Sequence, residues 1–419
     1  MTVIGLDDTD SRELGMCTTY VASRLAGDVA AAGGSVRRTL LIRLNPAVEH
    51  KTRGNAALAV HTDLPADHAR ALAADLLDLA ADDPETNPGV AVADCEPDAV
   101  PPAVADFSRA AVREYHEPAD ARALAREHGI DTLERGIGRG VVGALAAVGA
   151  YRAFEEWTYE TIVYRERERW GTERDVDRDA AFAAADGAYP AVWDTVDRAE
   201  GTAVCVPRTP CPVLYGIRGE TPDATRRVAR AIDSEPVART HTFLTNQGTD
   251  AHLRPARASE VENGRAYRVD GTVVDGPGTV EGGHVFLTVR DDADLRCAAF
   301  EPTKRFRDRV RALRAGDRVT VCGEVSDGTL KLEKVAVRDL MTTERVTPNC
   351  PDCGRSMESA GRGQGYRCRD CDTSAAEKTE RTVERDLEEG WYEVPPVARR
   401  HIAKPLVRGG FDAATHPER

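Results

Sequence analysis

Val3-Ile4-Gly5-Leu6-Asp7-Asp8-Thr9-Asp10-Ser11, followed by Gly15-Met16-Cys17-Thr18-Thr19, decides how this chain begins to fold. A short apolar run ends in three acids within four positions. Carboxylates at the C-terminal tip of a strand are hard-oxygen ligands for Mg²⁺, and Mg²⁺ usually arrives with nucleotide phosphates. The alternative is a solvated turn, because Asp is a favoured turn residue. Gly15 and the Thr pair add a tight backbone and hydroxyls beside the acids. Tyr20 to Ala26 then begins an Ala-rich helix whose N-terminus would aim amides at an anion. The stretch reads as strand, acidic loop and helix start, forming a phosphate and metal site.

Outward from it, β and α signals alternate. A strand is expected over 36–44, another over 57–61, and an amphipathic helix over 66–81 behind Pro65. Residues 82–100 are rich in Asp and Pro and read as partly loop. An apolar helix at 141–150 follows Leu133 to Gly140, a strand-like segment spans 157–166, and 167–186 is a charged loop or exposed helix. Strands are expected at 202–206, 213–218 and 239–245, with a helix near 221–233. This rhythm implies two mixed α/β modules. From Tyr267 to Leu340 five short strands follow, with a helix-like 304–314 between the third and fourth. That is the layout of an OB-fold, another small β-barrel being the alternative.

At 419 residues the chain exceeds one ordinary core and implies several domains. Asp+Glu number 70 against 56 Lys+Arg, for a formal charge of -14, and only six of the basic residues are Lys. Acid excess with scarce Lys reads as adaptation to a saline cytosol, although a GC-rich genome also favours Arg. Nucleic-acid binding would therefore rest on local Arg clusters. No apolar run of about 18 residues spans a membrane, and the start of the chain does not read as a signal peptide. Six of ten Cys (Cys17, Cys95, Cys205, Cys211, Cys297, Cys322) are scattered, as expected of reduced thiols in the cytoplasm.

The other four form Cys350-Pro351-Asp352-Cys353 and Cys368-Arg369-Asp370-Cys371, with fourteen residues between the pairs. Two such knuckles close tetrahedrally around Zn²⁺, and four thiolates leave no open position, so the zinc is structural. Gly136-x-Gly138-x-Gly140 reads as a phosphate-cradling loop or a tight turn, with Arg135 and Arg139 adding charge. Lys51-Thr52-Arg53-Gly54-Asn55 suits a triphosphate or RNA phosphate, or is a basic surface loop. Arg43 sits on a strand and reads as exposed. Asn246-Gln247-Gly248-Thr249-Asp250 binds a polyamine-like or nucleoside ligand, or merely turns the chain. Arg399-Arg400-His401 with Lys404 is a compact basic patch, either an RNA phosphate clamp or a solvated face. No Ser-His-Asp or Cys-His nucleophile set is present, and Cys17 reads as packing.

These residues, with Arg43-Leu44-Asn45-Pro46, Glu134-Arg135-Gly136 and Ala398-Arg399-Arg400-His401, together resemble the archaeal tRNA(Ile)-2-agmatinylcytidine synthetases over essentially the whole chain. The resemblance implies a multidomain α/β and α+β protein. A kinase-like ATP-dependent catalytic module would comprise 1–60 plus about 130–200, and a ferredoxin-like module about 61–129 plus 201–262. An OB-fold (264–340), a zinc ribbon (346–376) and a basic C-terminal tail (377–419) would follow. The family attaches agmatine to C2 of the wobble cytidine of the CAU-anticodon isoleucine tRNA, so that it reads AUA. ATP activates the C2 carbonyl by phosphorylation, and is also split to AMP.

By this resemblance Asp7, Asp8 and Asp10 hold Mg²⁺ and ATP, and Thr18 matches an autophosphorylated threonine. Gly15, Lys51, Arg53, Asn55, Arg135, Gly136, Gly138 and Arg139 surround the phosphates. The OB domain, ribbon and tail grip the tRNA, and no obligate protein partner is expected. Two rivals stand beside this reading. A non-catalytic OB and zinc-ribbon RNA-binding protein explains 267–419 but leaves the acids at 7–10 without a role. An enzyme using another amine, such as lysine, is the second.

Overall fold

β1 (Thr2–Asp7) is buried along nearly its whole length, which requires cover on both faces and a partner on both edges. In the computed structural model, which describes residues 1–11, 13–49, 51 and 54–419, it runs through a nine-stranded sheet. The elements continue as α1 (Thr18–Ala31), β2 (Val36–Arg43), β3 (Ala56–Thr62), α2 (Ala66–Leu76), β4 (Gly89–Asp94), α3 (Pro102–Ala111), α4 (Pro118–Glu127), β5 (Asp131–Glu134) and α5 (Gly140–Ala153). The second half supplies β6 (Thr158–Arg165), α6 (Arg178–Ala188), β7 (Val192–Trp193), β8 (Val213–Gly219), α7 (Pro222–Ala231) and β9 (Val237–Thr245). Across the sheet the order is β5-β4-β1-β3-β2-β9-β6-β8-β7. Every neighbouring pair is antiparallel except β2 and β9, which run parallel and join the two halves.

α1 seals one face, with Val21 and Leu25 against Leu41, Leu58 and Ile162. α5 seals the other, against Leu40, Ile42, Ala57 and Ala91. α5 lies so close to the strands that glycine is obligatory. A Cβ on Gly5 would stand 2.0 Å from the Ala144 carbonyl oxygen, and one on Gly89 2.2 Å from the Val141 nitrogen. The glycines of the sequence thus serve helix-on-sheet contact.

β10 (Leu253–Pro255) leads into β11 (Ala266–Thr279), β12 (Val285–Arg290), β13 (Asp294–Ala299), α8 (Phe306–Arg311), β14 (Arg318–Ser326) and β15 (Thr329–Asp339). β11 pairs with β12, β12 with β13, β13 with β15, β15 with β14, and β14 with β11, so the five strands close into a barrel. Alternate residues Val269, Leu287, Val289, Val321 and Val335 fill it, and Phe306 of α8 plugs one end. β16 (Thr343–Val346), β17 (Glu358–Ser359), β18 (Tyr366–Arg367), β19 (Ser374–Ala375) and β20 (Thr379–Thr382) carry the cysteine ribbon. β21 (Gly390–Glu393) then returns to pair with β15, and β22 (Thr415–His416) pairs with β21.

Three expectations need correction. Residues 202–206 form turns, with Cys205 O accepting from Gly216 N at 3.0 Å; the edge of β8 that such a strand would use is taken by β7. Within 82–100 lies β4, a full partner of β1 whose apolar residues are masked in sequence by polar flanks. Residues 377–419 are a docked segment in which Trp391 is 1 % exposed, packed with Ile402 and Leu406. No helix among the described residues is long and apolar enough to cross a membrane.

Candidate active site and metal centre

Asp7 ends β1, and the chain turns at once through Asp8, whose φ of +58° few side chains tolerate. The turn is held by the Asp8 amide, which donates to Asp7 Oδ1 at 2.7 Å. Arg139, entering from the start of α5, donates from Nε to Asp8 Oδ2 at 2.9 Å. α5 also bears on Asp7, because a Cβ on Gly143 would lie 1.9 Å from Asp7 Oδ2. Gly15, at φ +82°, turns the loop back so that α1 starts at Thr18 beside the acids.

These groups surround a cavity of about 390 Å³ that Asp7, Asp8, Asp10, Thr18, Lys51, Asn55 and Arg139 all line. Burial holds the Asp7 carboxyl well above its usual range, and the neighbouring Asp8 and Asp10 add to the effect. Burial raises Asp8 too, opposed by Arg139. Carboxyls held up in this way lose that strain when a cation arrives. Burial likewise pushes the Cys17 thiol to about 11, so it stays protonated and is no nucleophile.

The opposite wall is built around an acid that the sequence reading did not name. Glu160 of β6, 4 % exposed, takes Arg43 of β2 at 3.3 Å and Arg218 of β8 at 3.4 Å. Arg43 is therefore no exposed strand residue; its Nε also donates to Gln247 Oε1 at 2.8 Å. Asn246 clasps the Arg43 backbone, its Oδ1 accepting from Arg43 N at 2.8 Å and its Nδ2 donating to Arg43 O at 3.1 Å. Asp250 accepts from Lys334 Nζ at 2.8 Å. The 246–250 loop thus fastens sheet to barrel. The available signal was a charge set against the apolar run of each strand, Arg43 after Leu40-Leu41-Ile42, Glu160 before Thr161-Ile162-Val163 and Arg218 after Ile217, where an unpaired charge would be costly.

Of the other expected residues, Arg135, Gly136 and Gly138 stand outside the cavity lining. Arg135 turns away from the cavity, pairing with Asp78 and donating to Leu77 O at 3.1 Å. Gly136 and Gly138, at φ +62° and +70°, make a tight turn. Its amides are used internally, Ile137 N on Asn87 Oδ1 at 3.0 Å and Gly138 N on Arg135 O at 3.1 Å. Lys51 Nζ donates to Val48 O at 3.0 Å, and Asn55 Nδ2 to Asn45 O at 2.7 Å. Arg53 lies outside the described residues.

The basic patch is folded inward. Arg399 is 5 % exposed and pairs with Asp194 at 2.7 Å and Glu393 at 2.8 Å. Arg400 pairs with Glu324 at 2.8 Å and Glu333 at 2.5 Å, and Lys404 with Glu156 at 2.9 Å. His401 is half-buried; desolvation of its ring and the nearby Arg43 and Arg218 keep it neutral. Its Nε2 lies 3.0 Å from where a Gly54 Cβ would be. Neither a solvated face nor an open clamp describes this segment, because acids from sheet and barrel neutralise it.

In the ribbon, Cys350, Cys353, Cys368 and Cys371 bring their Sγ atoms within 4.8 Å of one another, the only such convergence of His, Cys, Asp or Glu among the described residues. Cys353 Sγ and Cys368 Sγ are 3.6 Å apart. Four sulfurs at Zn–S bonds of about 2.3 Å fit this spacing and close the coordination shell.

Sheet, cavity, barrel and ribbon define a multidomain, α/β-rich enzyme with a C-terminal zinc ribbon. Three family models match: a TiaS TCKD domain over 3–66, a TiaS FLD domain over 138–252 and a TiaS C-terminal zinc ribbon domain over 347–387. The tRNA(Ile)-2-agmatinylcytidine synthetase TiaS of Haloquadratum walsbyi is 53% identical, with all of both chains covered. A crystal structure of TiaS in complex with its isoleucine tRNA and ATP superposes with a TM-score of 0.89 at 42% identity, covering 100% of this chain and 99% of that one. One of TiaS with the same tRNA, AMPCPP and agmatine gives 0.86 at 39%, with the same coverage. The chain belongs to the tRNA(Ile)-2-agmatinylcytidine synthetase family.

Proposed function

We propose that this chain joins agmatine to C2 of the wobble cytidine of the CAU-anticodon isoleucine tRNA, using ATP. The observation that carries this is the cavity where Asp7, Asp8, Asp10, Thr18 and Arg139 meet at the end of β1. An oxide at C2 leaves poorly, so the reaction needs a phosphoryl group on that oxygen. The agmatine nitrogen then forms the new C–N bond as the C–O bond breaks and phosphate departs. Asp7 and Asp8 are the ligands for Mg²⁺, their crowded and elevated carboxyls being the kind of hard-oxygen set it takes alongside phosphates. Bound there, Mg²⁺ supplies charge neutralisation for the phosphates. Asp10 shares the acidic floor, and Arg139 fixes Asp8 while offering its remaining N–H groups to a phosphate. Thr18, first residue of the 14-residue α1, sets a hydroxyl beside amides that favour an anion.

The strand pairing of the barrel supports an OB-fold gripping the tRNA, with a helix between its third and fourth strands. A kinase-like module over 1–60 plus about 130–200 and a ferredoxin-like module over about 61–129 plus 201–262 are our reading of the region that the sheet spans. In this account the C-terminal basic residues brace the domains, and RNA contact falls to other surfaces. The cytoplasm is the compartment such a reaction requires. A purely RNA-binding role leaves the acid-floored cavity without a purpose.

Incorporation of labelled agmatine into this tRNA, in molar salt with ATP and Mg²⁺, tests the proposal. Label is expected, and it disappears when the wobble cytidine is replaced. ATP consumption without label, or label from lysine in place of agmatine, would point to another amine; no ATP use would leave a binding protein.

A further inference from the structure

β2 and β9 pair only at Leu40 with Leu244 and Leu41 with Thr245. Their other edges stay bonded to β3 and β6 over much longer runs, so the facing edges diverge and split the sheet. The split opens into a cleft of about 1040 Å³ between α1, β2, α7 and β9. It lies at the opposite end of β2 from the catalytic cavity. Six residues separate Arg37 from Arg43, or about 20 Å of strand.

Five arginines line the cleft: Arg37, Arg38, Arg226, Arg230 and Arg239. Among the described residues only Arg226 has a carboxylate within 4.0 Å, Asp223 at 3.9 Å. Two are oriented by the protein, while Arg38 is drawn out of the cleft onto Tyr151 of α5, which does not line it. Arg239 Nη1 donates to Ser23 O at 2.9 Å, and Arg226 Nε to Thr242 Oγ1 at 3.0 Å. Gly27 makes room for Arg239, since a Cβ there would stand 3.1 Å from its Nη1. Glycine is disfavoured inside a helix, so the seat for this guanidinium stands against helix propensity. Of the two acids lining the cleft, Glu235 is engaged by Arg165 at 2.7 and 2.8 Å, which leaves Asp233 against the four guanidinium groups of Arg37, Arg226, Arg230 and Arg239.

In a chain of formal charge -14 such a concentration of cations selects for anions. Planar guanidinium forks match phosphate oxygens. The rings of the lining are committed elsewhere. Tyr215 is 1 % exposed and gives its hydroxyl to Ala229 O, while His241 bonds Thr39 Oγ1 at 2.7 Å and leans on Phe243. Neither is placed to stack a base. We infer that this cleft binds backbone phosphates of the RNA substrate, independently of sequence and away from the reacting nucleotide. The inference rests on the RNA-modifying reading above. Double-stranded RNA modules contact sites much farther apart than 20 Å, so one RNA can engage cavity and cleft together.

The test is the salt dependence of tRNA binding by the full chain and by the triple variant Arg37→Ala, Arg226→Ala, Arg230→Ala, all three exposed residues. Losing three phosphate contacts lowers the slope of log Kobs against log salt by about 2 to 3. The rate at saturating tRNA should stay within about twofold, and lysines at the same positions should restore most of the slope. An unchanged slope with tRNA still bound overturns the cleft alone. A wild-type chain that binds no tRNA overturns the functional reading with it. Titration with inorganic pyrophosphate separates the remaining source: saturable binding that the variant loses, with the RNA slope unchanged, assigns the cleft to a small anion instead.

Discussion

Gly143→Ala is the sharpest test of how the catalytic floor is built. In a helix interior this change ordinarily stabilises by about 1 kcal/mol. Here the added carbon would sit 1.9 Å from Asp7 Oδ2, 2.6 Å from its Cγ and 2.9 Å from its Cβ, whereas ordinary contact begins near 3.4 Å. α5 is packed against β1 through Gly5 and cannot retreat, so Asp7 must move by about 1.5 Å. Overpacking of this kind costs about 1–3 kcal/mol, which cancels or outweighs the propensity gain. Displacing a reacting group by about 1 Å costs about 100-fold in rate. ATP cleavage per active chain should therefore fall by at least about 100-fold, with tRNA affinity retained. Gly187→Ala on α6 is the matched control, since nothing lies within 4 Å of its added carbon; it should raise stability slightly and leave turnover unchanged. Wild-type ATP turnover in Gly143→Ala would refute the assignment of Asp7 to the reacting floor.

Arg399→Ala strands Asp194 and Glu393 as buried carboxylates, a loss of about 3–5 kcal/mol; thermal melting and protease cleavage near residue 400 will register it, and an unchanged melting temperature contradicts the brace. His61 and His252 are held neutral by burial, at about 3 and about 4. The unfolded chain binds these protons below about pH 6.5, so stability is full above that and falls with pH, by about 1.4 kcal/mol per group at pH 5.5. Denaturant midpoints at pH 7.5 and 5.5 should separate less in His61→Phe than in the wild type; equal separation counts against a neutral buried ring. Chelation should release one zinc per chain and expose 347–387 to protease while ATP still binds, and full zinc retention by Cys368→Ser would exclude the four-thiolate site.

The β1 tip, the acidic loop and the cysteine ribbon were legible because each is written in consecutive residues, where alternation, turn chemistry and ligand spacing act locally. The barrel strands were legible for the same reason. Glu160, Arg43 and Arg218 were not, because they come from three strands whose adjacency arises only in the folded sheet. The basic patch misled for a related reason. Charge counted along the chain says nothing of Asp194, Glu324 and Glu333, which approach from distant elements. The glycines of 136–143 carried two signals at once, a tight turn and a close helix, and only the geometry separates them from a phosphate loop.

The docking of His401 against Gly54 gives the order of synthesis a consequence. The acids at 7–10 and the helix behind them leave the ribosome early, yet the segment that backs the 54–55 loop emerges about 390 residues after the acids. Until it does, the wall around the cavity has no support from behind. A nascent or prematurely terminated chain therefore carries the phosphate-facing acids without a finished enclosure around them.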